Sequence, residues 1–89
     1  MVKYDRKEMG RLLRKKRVSS GLTQHQASHR LGYSSSQFVS NIERGISVAP
    51  LEILGKLSRL YKFKDKAIID LLMDGSKKYL REAFTSKKF

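Results

Sequence analysis

The chain of 89 residues contains no cysteine. Neither a disulfide nor a thiolate metal site can therefore stabilise its fold, and this absence is compatible with a reducing cytosol. The sequence also lacks any apolar run near the ~20 residues that span a bilayer, and residues 1–10 lack the apolar stretch of a secretory signal. We therefore expect a cytoplasmic protein that has no membrane-spanning segment.

Acidic residues are scarce. Eight Asp and Glu residues stand against 20 Lys and Arg residues, which gives a formal net charge of +12. This basic excess predicts a polyanionic partner, and nucleic acid is favoured over an anionic membrane because the charges do not follow one strongly apolar helix. Because only 39% of this short chain is hydrophobic, we expect one small domain with a marginal core, which a partner chain would help to complete.

Signals for catalysis and for metal binding are weak. His25 and His29 lie four residues apart and would share a helix face, but no third ligand clusters with them and no HExxH glutamate separates them. The chain also has no glycine-rich phosphate loop, nucleophile elbow or convincing pair of carboxylates. We expect a protein that is not an enzyme and that holds no metal or cofactor.

Apolar residues recur at helical spacing along the chain, and no strand-like alternation or internal repeat interrupts them. Capping and stop residues then predict where each helix begins and ends. The pattern predicts a single all-α domain. We expect five helices. The first runs from Arg6 to Val18 after the cap Asp5, and the second runs from Thr23, which forms a capping box with Gln26, to Gly32. The third runs from the candidate caps Ser34 and Ser35 to Gly45, the fourth begins at Pro50, and the fifth begins near Asp65.

The segment after Asp74 allows two interpretations. Gly75 either ends the fifth helix, with a short amphipathic helix after it, or is tolerated inside one continuous helix. In both cases four residues share a face, which is either part of a frayed basic tail or a surface for a partner. These residues are Tyr79, Leu80, Ala83 and Phe84.

The third predicted helix is rich in uncharged polar side chains, whereas the rest of the chain is rich in Lys and Arg. Its amphipathic pattern directs Phe38, Val39 and Ile42 inward and the intervening polar residues outward. Side-chain amides such as Gln37 and Asn41 donate and accept together, which matches the N6 and N7 edge of adenine. The outward face therefore has the chemistry that reads DNA bases.

These elements resemble the phage-repressor family of helix-turn-helix proteins, the XRE-like group typified by Cro and lambda repressor. The resemblance covers about Met9 to Leu60 and is carried by LTQ from Leu22, by LG from Leu31, by IERG from Ile42 and by LExL from Leu51. It implies a five-helix domain whose third helix enters the major groove, with dimers on half-sites about one DNA turn apart. Residues 1–74 would form the DNA-binding domain and residues 75–89 a basic, helical C-terminal extension.

Position by position, the resemblance implies roles for individual residues. Arg17 and Glu43 match the family's partly buried ion pair between the first and third helices, and we expect Glu43 to be structural because DNA repels an unpaired acid. The turn after Gly32 is one residue longer than the commonest family spacing, so the register at Ser36 can differ by one position. Base contacts are expected from Ser36, Gln37, Ser40 and Asn41. DNA backbone contacts are expected from Gln24, Ser34, Ser35 and Arg44, together with Arg14 and Lys15 on the basic first helix.

Two apolar segments predict a homodimer. The loop Ile46–Ala49, which is commonly basic in the family, either packs on the domain's own core or joins a contact between two monomers. The fifth helix is apolar around more of its circumference than one small domain can cover. The expected dimer interface consists of Ile46, Val48, Ile68, Ile69, Leu72 and Met73.

The sequence therefore predicts a sequence-specific regulator of transcription that binds double-stranded DNA, with repression at a palindromic operator as the default. Two alternatives stay open. One is an antitoxin or other protein-interaction module that binds a partner protein through Tyr79, Leu80 and Phe84. The other is a basic RNA-binding helical protein, although the chain lacks the aromatic platform expected for stacking single-stranded RNA.

Overall fold

The computed structural model describes residues 4–85, and all regular structure in this part of the chain is helical. The predicted all-α, five-helix fold class is confirmed. Residues 86–89 of the predicted C-terminal extension lie outside the described part. The helices are α1 (Arg6–Ser19), α2 (Gln24–Arg30), α3 (Gln37–Glu43), α4 (Leu51–Leu60) and α5 (Lys66–Thr85).

The helices α1 and α2 begin at the predicted N-cap residues, Asp5 and Thr23, whose side chains cap them. The Asp5 carboxylate accepts hydrogen bonds from the backbone N–H groups of Lys7, at 2.9 Å, and Glu8, at 3.0 Å. The Thr23 hydroxyl accepts from the Gln26 N–H at 3.0 Å, and the Gln26 side chain accepts from the Thr23 N–H at 2.9 Å. These bonds satisfy N–H groups that a helix cannot pair internally, so the chain enters both helices where the sequence predicts.

The start of α3 differs from the prediction by one or two residues. Ser36 occupies the N-cap position without a side-chain capping hydrogen bond, so the choice of Ser34 or Ser35 as N-cap residue was wrong. Ser35 still contributes, because its hydroxyl accepts from the Gln37 N–H at 3.3 Å. At the other end Gly45 follows α3 with φ 73°, a left-handed conformation that glycine adopts without strain and that ends the helix as predicted.

The core forms where α1, α2, α3, α4 and the N-terminal half of α5 meet. Ile68 of α5 belongs to it and is only 5% exposed, because this face of α5 is covered by the domain itself. Ile68 is therefore unavailable to a dimer interface, and its assignment there was wrong. The buried hydrophobic residues are Met9, Leu13, Ala27, Val39, Ile42, Ala49, Leu54, Leu57, Tyr61 and Ile68.

The loop between α3 and α4 packs partly on the domain's own core and partly stays exposed, so each of the two interpretations that the sequence allowed fits one part of it. Ala49 is buried, and its backbone N–H donates to the Tyr4 hydroxyl at 2.9 Å. Ile46 and Val48 are instead more than half exposed. The end of the loop therefore packs on the domain, while its two large apolar side chains stay at the surface.

The fifth helix continues through Gly75 to Thr85, which settles the two interpretations of this segment in favour of one continuous helix. At 1.5 Å per residue, its 20 residues extend about 30 Å. Every residue of α5 from Lys77 onward is exposed. This half of the helix therefore stays at the surface, where Lys78, Tyr79 and Glu82 line a cleft with the start of α1.

Candidate nucleic-acid interface

An ion pair fixes α3 against α1. Arg17 Nε donates to Glu43 Oε2 at 2.6 Å and Arg17 Nη2 donates to Glu43 Oε1 at 3.0 Å, as the resemblance implies for these two positions. The two side chains are only 10% and 2% exposed. The bidentate, charge-assisted geometry offsets the cost of removing both charges from water. The hydrogen bond to Glu43 is also the main reason that the pKa of Arg17 is raised.

Two further contacts connect this ion pair to α2. Arg17 Nη1 donates to the backbone carbonyl of Leu22 at 2.8 Å, just before α2 begins. Gln24 Nε2 donates to Glu43 Oε1 at 3.0 Å. Gln24 therefore has a structural contact that the sequence analysis did not assign to it, and its contact with the DNA backbone stays a prediction.

Gly10 permits a close approach of α1 to α3 that the sequence analysis missed. A Cβ atom at this position would overlap the Glu43 carbonyl oxygen and lie 2.7 Å from that of Ile42. A glycine inside a helix costs about 1 kcal/mol of stability relative to alanine, so its presence there usually has a packing reason. The position of Gly10 beside the apolar residues of α1 could therefore have indicated a close contact with another helix. The absence of a side chain here brings the C-terminal end of α3 onto α1.

The outward face of α3 carries a hydrogen-bonded cluster, which we call the α3 polar cluster and define as Gln37, Asn41 and Arg44. Asn41 Oδ1 accepts from Gln37 Nε2 at 2.7 Å and from Arg44 Nη2 at 2.9 Å. Gln37 and Arg44 are exposed, and Asn41 is half-buried. Three of the residues predicted to touch DNA thus form one continuous polar surface.

The bonds within the α3 polar cluster leave donors and acceptors for a ligand. Beyond its bond to Asn41, Gln37 retains its carbonyl oxygen and a second amide hydrogen, which is the pair that adenine N6 and N7 require. The guanidinium of Arg44 retains further N–H donors, which suit guanine O6 and N7 or a phosphate. Asn41 orients both neighbours through a single oxygen atom.

The other predicted contact residues surround this cluster. Ser36 at the N-cap position and Ser40 on α3 are half-buried, and Ser34 and Ser35 are exposed in the turn before α3. Tyr33 in that turn stacks on Phe38, with ring centroids 4.2 Å apart and planes 15° from parallel. This stacking holds the long turn against the first turn of α3. Arg14 and Lys15 are exposed on α1.

The described residues contain neither a cluster of candidate metal ligands nor a helix that could span a membrane. His25 and His29 are exposed on α2, and residues 4–85 contain no group of three or more His, Cys, Asp or Glu side chains that can hold a metal ion. None of the helices in this range is sufficiently long and apolar to cross a membrane.

Two short helices joined by a turn, the second with an exposed polar face and a buried anchor, define a helix-turn-helix protein. A family model described as a helix-turn-helix domain matches residues 8–71, which is more than half of the chain. The chain therefore belongs to this family of XRE-like, DNA-binding helix-turn-helix domains, as its resemblance to phage repressors implied. No curated protein and no solved structure matches the chain significantly.

Proposed function

We propose that this DNA-binding regulator recognises a specific sequence in double-stranded DNA, binds a palindromic operator as a homodimer, and represses transcription by occupying that operator. The observation that carries the proposal is the α3 polar cluster, because Gln37, Asn41 and Arg44 offer donors and acceptors suited to base edges. The ion pair of Arg17 with Glu43 supports it by giving α3 a rigid base. No catalytic step is involved.

Affinity and specificity would come from different surfaces. The net charge of +12 attracts the phosphate backbone whatever the DNA sequence, and it makes binding weaken with salt. Exposed basic residues on α1, namely Arg11, Arg14 and Lys15, are suited to this attraction. Contacts from α3 to base edges would then select one sequence among many.

The homodimer is supported by apolar side chains that the domain leaves uncovered. Leu51 of α4 and Ile69 and Met73 of α5 are each more than half exposed, although large side chains of this kind are stabilised by burial. A two-fold symmetric dimer presents two identical α3 helices. The operator would then be palindromic, with half-sites about one DNA turn apart.

Selection of bound duplexes from a random pool tests specificity and symmetry together. We expect the full chain to enrich a palindromic consensus. The matched control is the triple variant Gln37→Ala, Asn41→Ala, Arg44→Ala, which should lose the consensus and keep nonspecific binding, weakened by no more than the one phosphate contact that Arg44 can make. Enrichment of the same consensus by both proteins would refute reading by the α3 polar cluster. No enrichment by the wild-type chain would refute sequence specificity, and an asymmetric single site would refute the palindrome.

Repression is tested separately by transcription in vitro from a promoter that overlaps the selected site. The wild-type chain should reduce the transcript in proportion to operator occupancy, and the triple variant should not. An increase in transcript, or full occupancy without any decrease, would overturn the repressor role and leave DNA binding intact.

A further inference from the structure

A cleft of about 480 Å³ lies where the C-terminal ends of α1, α2 and α4 meet, and we call it the basic cleft. All charged residues that line it are basic, and no residue of α3 takes part in it. Its volume falls within the range of about 300 to 1,000 Å³ that is usual for pockets that bind small molecules. The basic residues of the cleft are Lys16, Arg30 and Lys62, and its apolar residues are Leu22, Leu60 and Phe63.

The cations of the basic cleft have no anionic partner within the described part of the chain. Lys16, Arg30 and Lys62 form no hydrogen bond or ion pair with another residue of the range 4–85. Lys16 is half-buried, whereas every other lysine in this range is exposed. Its Nζ lies 5.5 Å from the centroid of the Phe63 ring, which holds the ammonium group at the wall of the cleft. A partly desolvated cation is stabilised by an anion at hydrogen-bond distance, and residues 4–85 supply none here.

The three helix ends reduce the positive potential of the basic cleft but do not cancel it. Each helix C-terminus carries about −0.5 elementary charge, so three of them together amount to about −1.5. The side chains of Lys16, Arg30 and Lys62 contribute three positive charges. The cleft therefore stays positive and attracts an anion.

Lys62 lines the basic cleft in spite of an unfavourable backbone conformation. Its φ of 56° makes it the one residue other than glycine with a positive φ in the described range. The turns after α1, α2 and α3 use Gly21, Gly32 and Gly45 for the same left-handed conformation. Attraction between a lysine and the C-terminus of a helix returns less free energy than this conformation costs. Such strain is common at ligand sites, where the side chain has a separate use.

The apolar side of the basic cleft indicates what kind of anion fits it. Leu22, Leu60 and Phe63 are half-buried, so each keeps apolar surface that a ligand can cover. Inorganic phosphate or the backbone of DNA would pair with the cations and leave this surface in water. A small molecule that has an anionic group and an apolar body satisfies both sides of the cleft.

The basic cleft borders the residues that hold Arg17 in place. The Ser20 hydroxyl donates to the Arg17 carbonyl oxygen at 2.6 Å, and the Leu22 carbonyl oxygen accepts from Arg17 Nη1 at 2.8 Å. Tyr61 also lines the cleft, and its buried hydroxyl has no hydrogen-bond partner among the described residues. Burial is the main reason that the pKa of Tyr61 is raised, and the charge of Glu43 adds to this effect. The cleft is thereby connected to the ion pair that anchors α3.

We propose that the basic cleft binds a small molecule in which a phosphate or carboxylate group is joined to an apolar body, and that this ligand weakens DNA binding. The effect on DNA rests on the proposed function, whereas the binding site does not. A bound anion lowers the net positive charge that attracts DNA. An apolar body that packs against Leu22 shifts the turn that holds Arg17 and so loosens the anchor of α3.

Titration of the full chain followed by nuclear magnetic resonance tests binding, with hexyl phosphate as the probe. The backbone amide signals of Ser20, Leu22 and Phe63 should shift and reach saturation. Inorganic phosphate lacks the apolar body and 1-hexanol lacks the charge, so each should bind at least about tenfold more weakly. Equal affinity for hexyl phosphate and inorganic phosphate would refute the apolar side of the site. The absence of shifts at these three residues would overturn the site altogether.

Two substitutions in the basic cleft and one outside it separate a specific site from general attraction to a basic protein. Lys16→Gln and Lys62→Gly should each raise the dissociation constant of hexyl phosphate about tenfold, because each removes a charge-assisted contact. The matched control is Lys77→Gln, which removes one charge from the exposed part of α5 and should leave the constant unchanged. Lys62→Gly should also raise the thermal midpoint by removing backbone strain, so a folding defect would not explain its weaker binding. Equal weakening by all three substitutions would overturn the proposal.

Fluorescence anisotropy with the selected operator tests the effect of the ligand on DNA binding. Saturating hexyl phosphate should weaken the affinity of the wild-type chain for the operator at least about fivefold, relative to the same concentration of inorganic phosphate. Lys62→Gly should show no such response. An unchanged operator affinity at saturation would refute the regulatory effect and leave the binding site in place. A chain that selects no operator would refute the proposed function, and the titration would still decide whether the cleft binds the probe.

Two other sources of phosphate would give different results. If the basic cleft held the DNA backbone, Lys62→Gly without any ligand would weaken binding to every duplex and lower its dependence on salt. If the cleft held a lipid headgroup, the wild-type chain would sediment with phosphatidylglycerol vesicles and Lys62→Gly would not. Either result would overturn a small molecule as the ligand of the cleft.

Discussion

The side-chain amide of Gln24 donates to Glu43 Oε1 across 3.0 Å, which ties the first residue of α2 to the last residue of α3. The same oxygen accepts from Arg17 Nη2 of α1. One carboxylate thus holds three helices together. Its position at the end of α3 fixes the direction in which the α3 polar cluster faces.

Breaking this ion pair from one side should be costly. Arg17→Met leaves the Glu43 carboxylate buried without its main partner, and we expect a loss of about 3 to 5 kcal/mol in the free energy of unfolding. Urea denaturation at neutral pH measures this value. The double variant Arg17→Met, Glu43→Leu should lose much less than the sum of the two single variants. A single-variant loss below about 0.5 kcal/mol would show that the pair does not anchor α3.

Two glycines within helices should respond in opposite ways to the same substitution. Gly10→Ala forces a methyl group against the backbone carbonyls of α3, and overpacking of this kind typically costs about 1 to 3 kcal/mol. Gly55→Ala meets nothing closer than Arg59 Nη1 at 3.5 Å and should stabilise α4 by about 0.4 to 1 kcal/mol. The thermal midpoints of both variants check this contrast. Equal stabilisation by both substitutions would contradict the close contact at Gly10.

Asp5 should make the stability of α1 depend on pH under acidic conditions. The Glu8 backbone N–H, which donates to the carboxylate, is the main reason that the pKa of Asp5 lies below its ordinary value of 3.8. A lowered folded-state pKa contributes stability that is present above pH 3.8 and is lost as the pH falls through the folded-state value. Asp5→Asn retains a good N-cap residue and removes the titration. Its stability should therefore decline less between pH 5 and pH 2 in acid titrations followed by circular dichroism, and identical declines would contradict this role.

Gln37 should affect discrimination more than affinity. Gln37→Ala removes one donor and acceptor pair from α3, and we expect the preference for the selected operator over unrelated duplex to fall by about 1 to 3 kcal/mol. Fluorescence anisotropy with both duplexes measures the two affinities. An equal loss on both duplexes would show that Gln37 does not read bases.

Lys15 should affect every duplex alike. Lys15→Ala removes an exposed charge from α1, so binding should weaken on operator and on unrelated duplex by the same factor. The slope of log affinity against log salt concentration should fall by about 0.9 if one phosphate contact is lost. An unchanged slope would remove Lys15 from the interface.

Features that depend on neighbouring residues could be predicted from the sequence. The capping box of Thr23 with Gln26 and the left-handed Gly45 appear where the sequence indicated, because each is decided within a few residues. The pairing of Arg17 with Glu43 spans 26 residues, and it was available only through the family motif. Local chemistry alone does not identify partners at that separation.

Features that depend on packing were not predictable in the same way. Ile68 and Ile69 are equally apolar neighbours, yet one is buried in the core and the other is more than half exposed, because α5 turns only one of them toward the domain. The closeness of Gly10 to α3 likewise arises from two helices that meet in space. Sequence periodicity locates a stripe but does not say which part of it the domain covers.

The sequence by itself determined the helical order of this protein, its basic charge and its family, since periodicity, caps, composition and motifs are all local properties of the chain. Only the tertiary structure decided that Gln24 supports Glu43, that Gly75 lies inside a continuous α5, and that Ile69 and Met73 of α5 stay exposed. The physical reason is that each of these depends on which surfaces the folded helices bury against one another and which they leave to solvent.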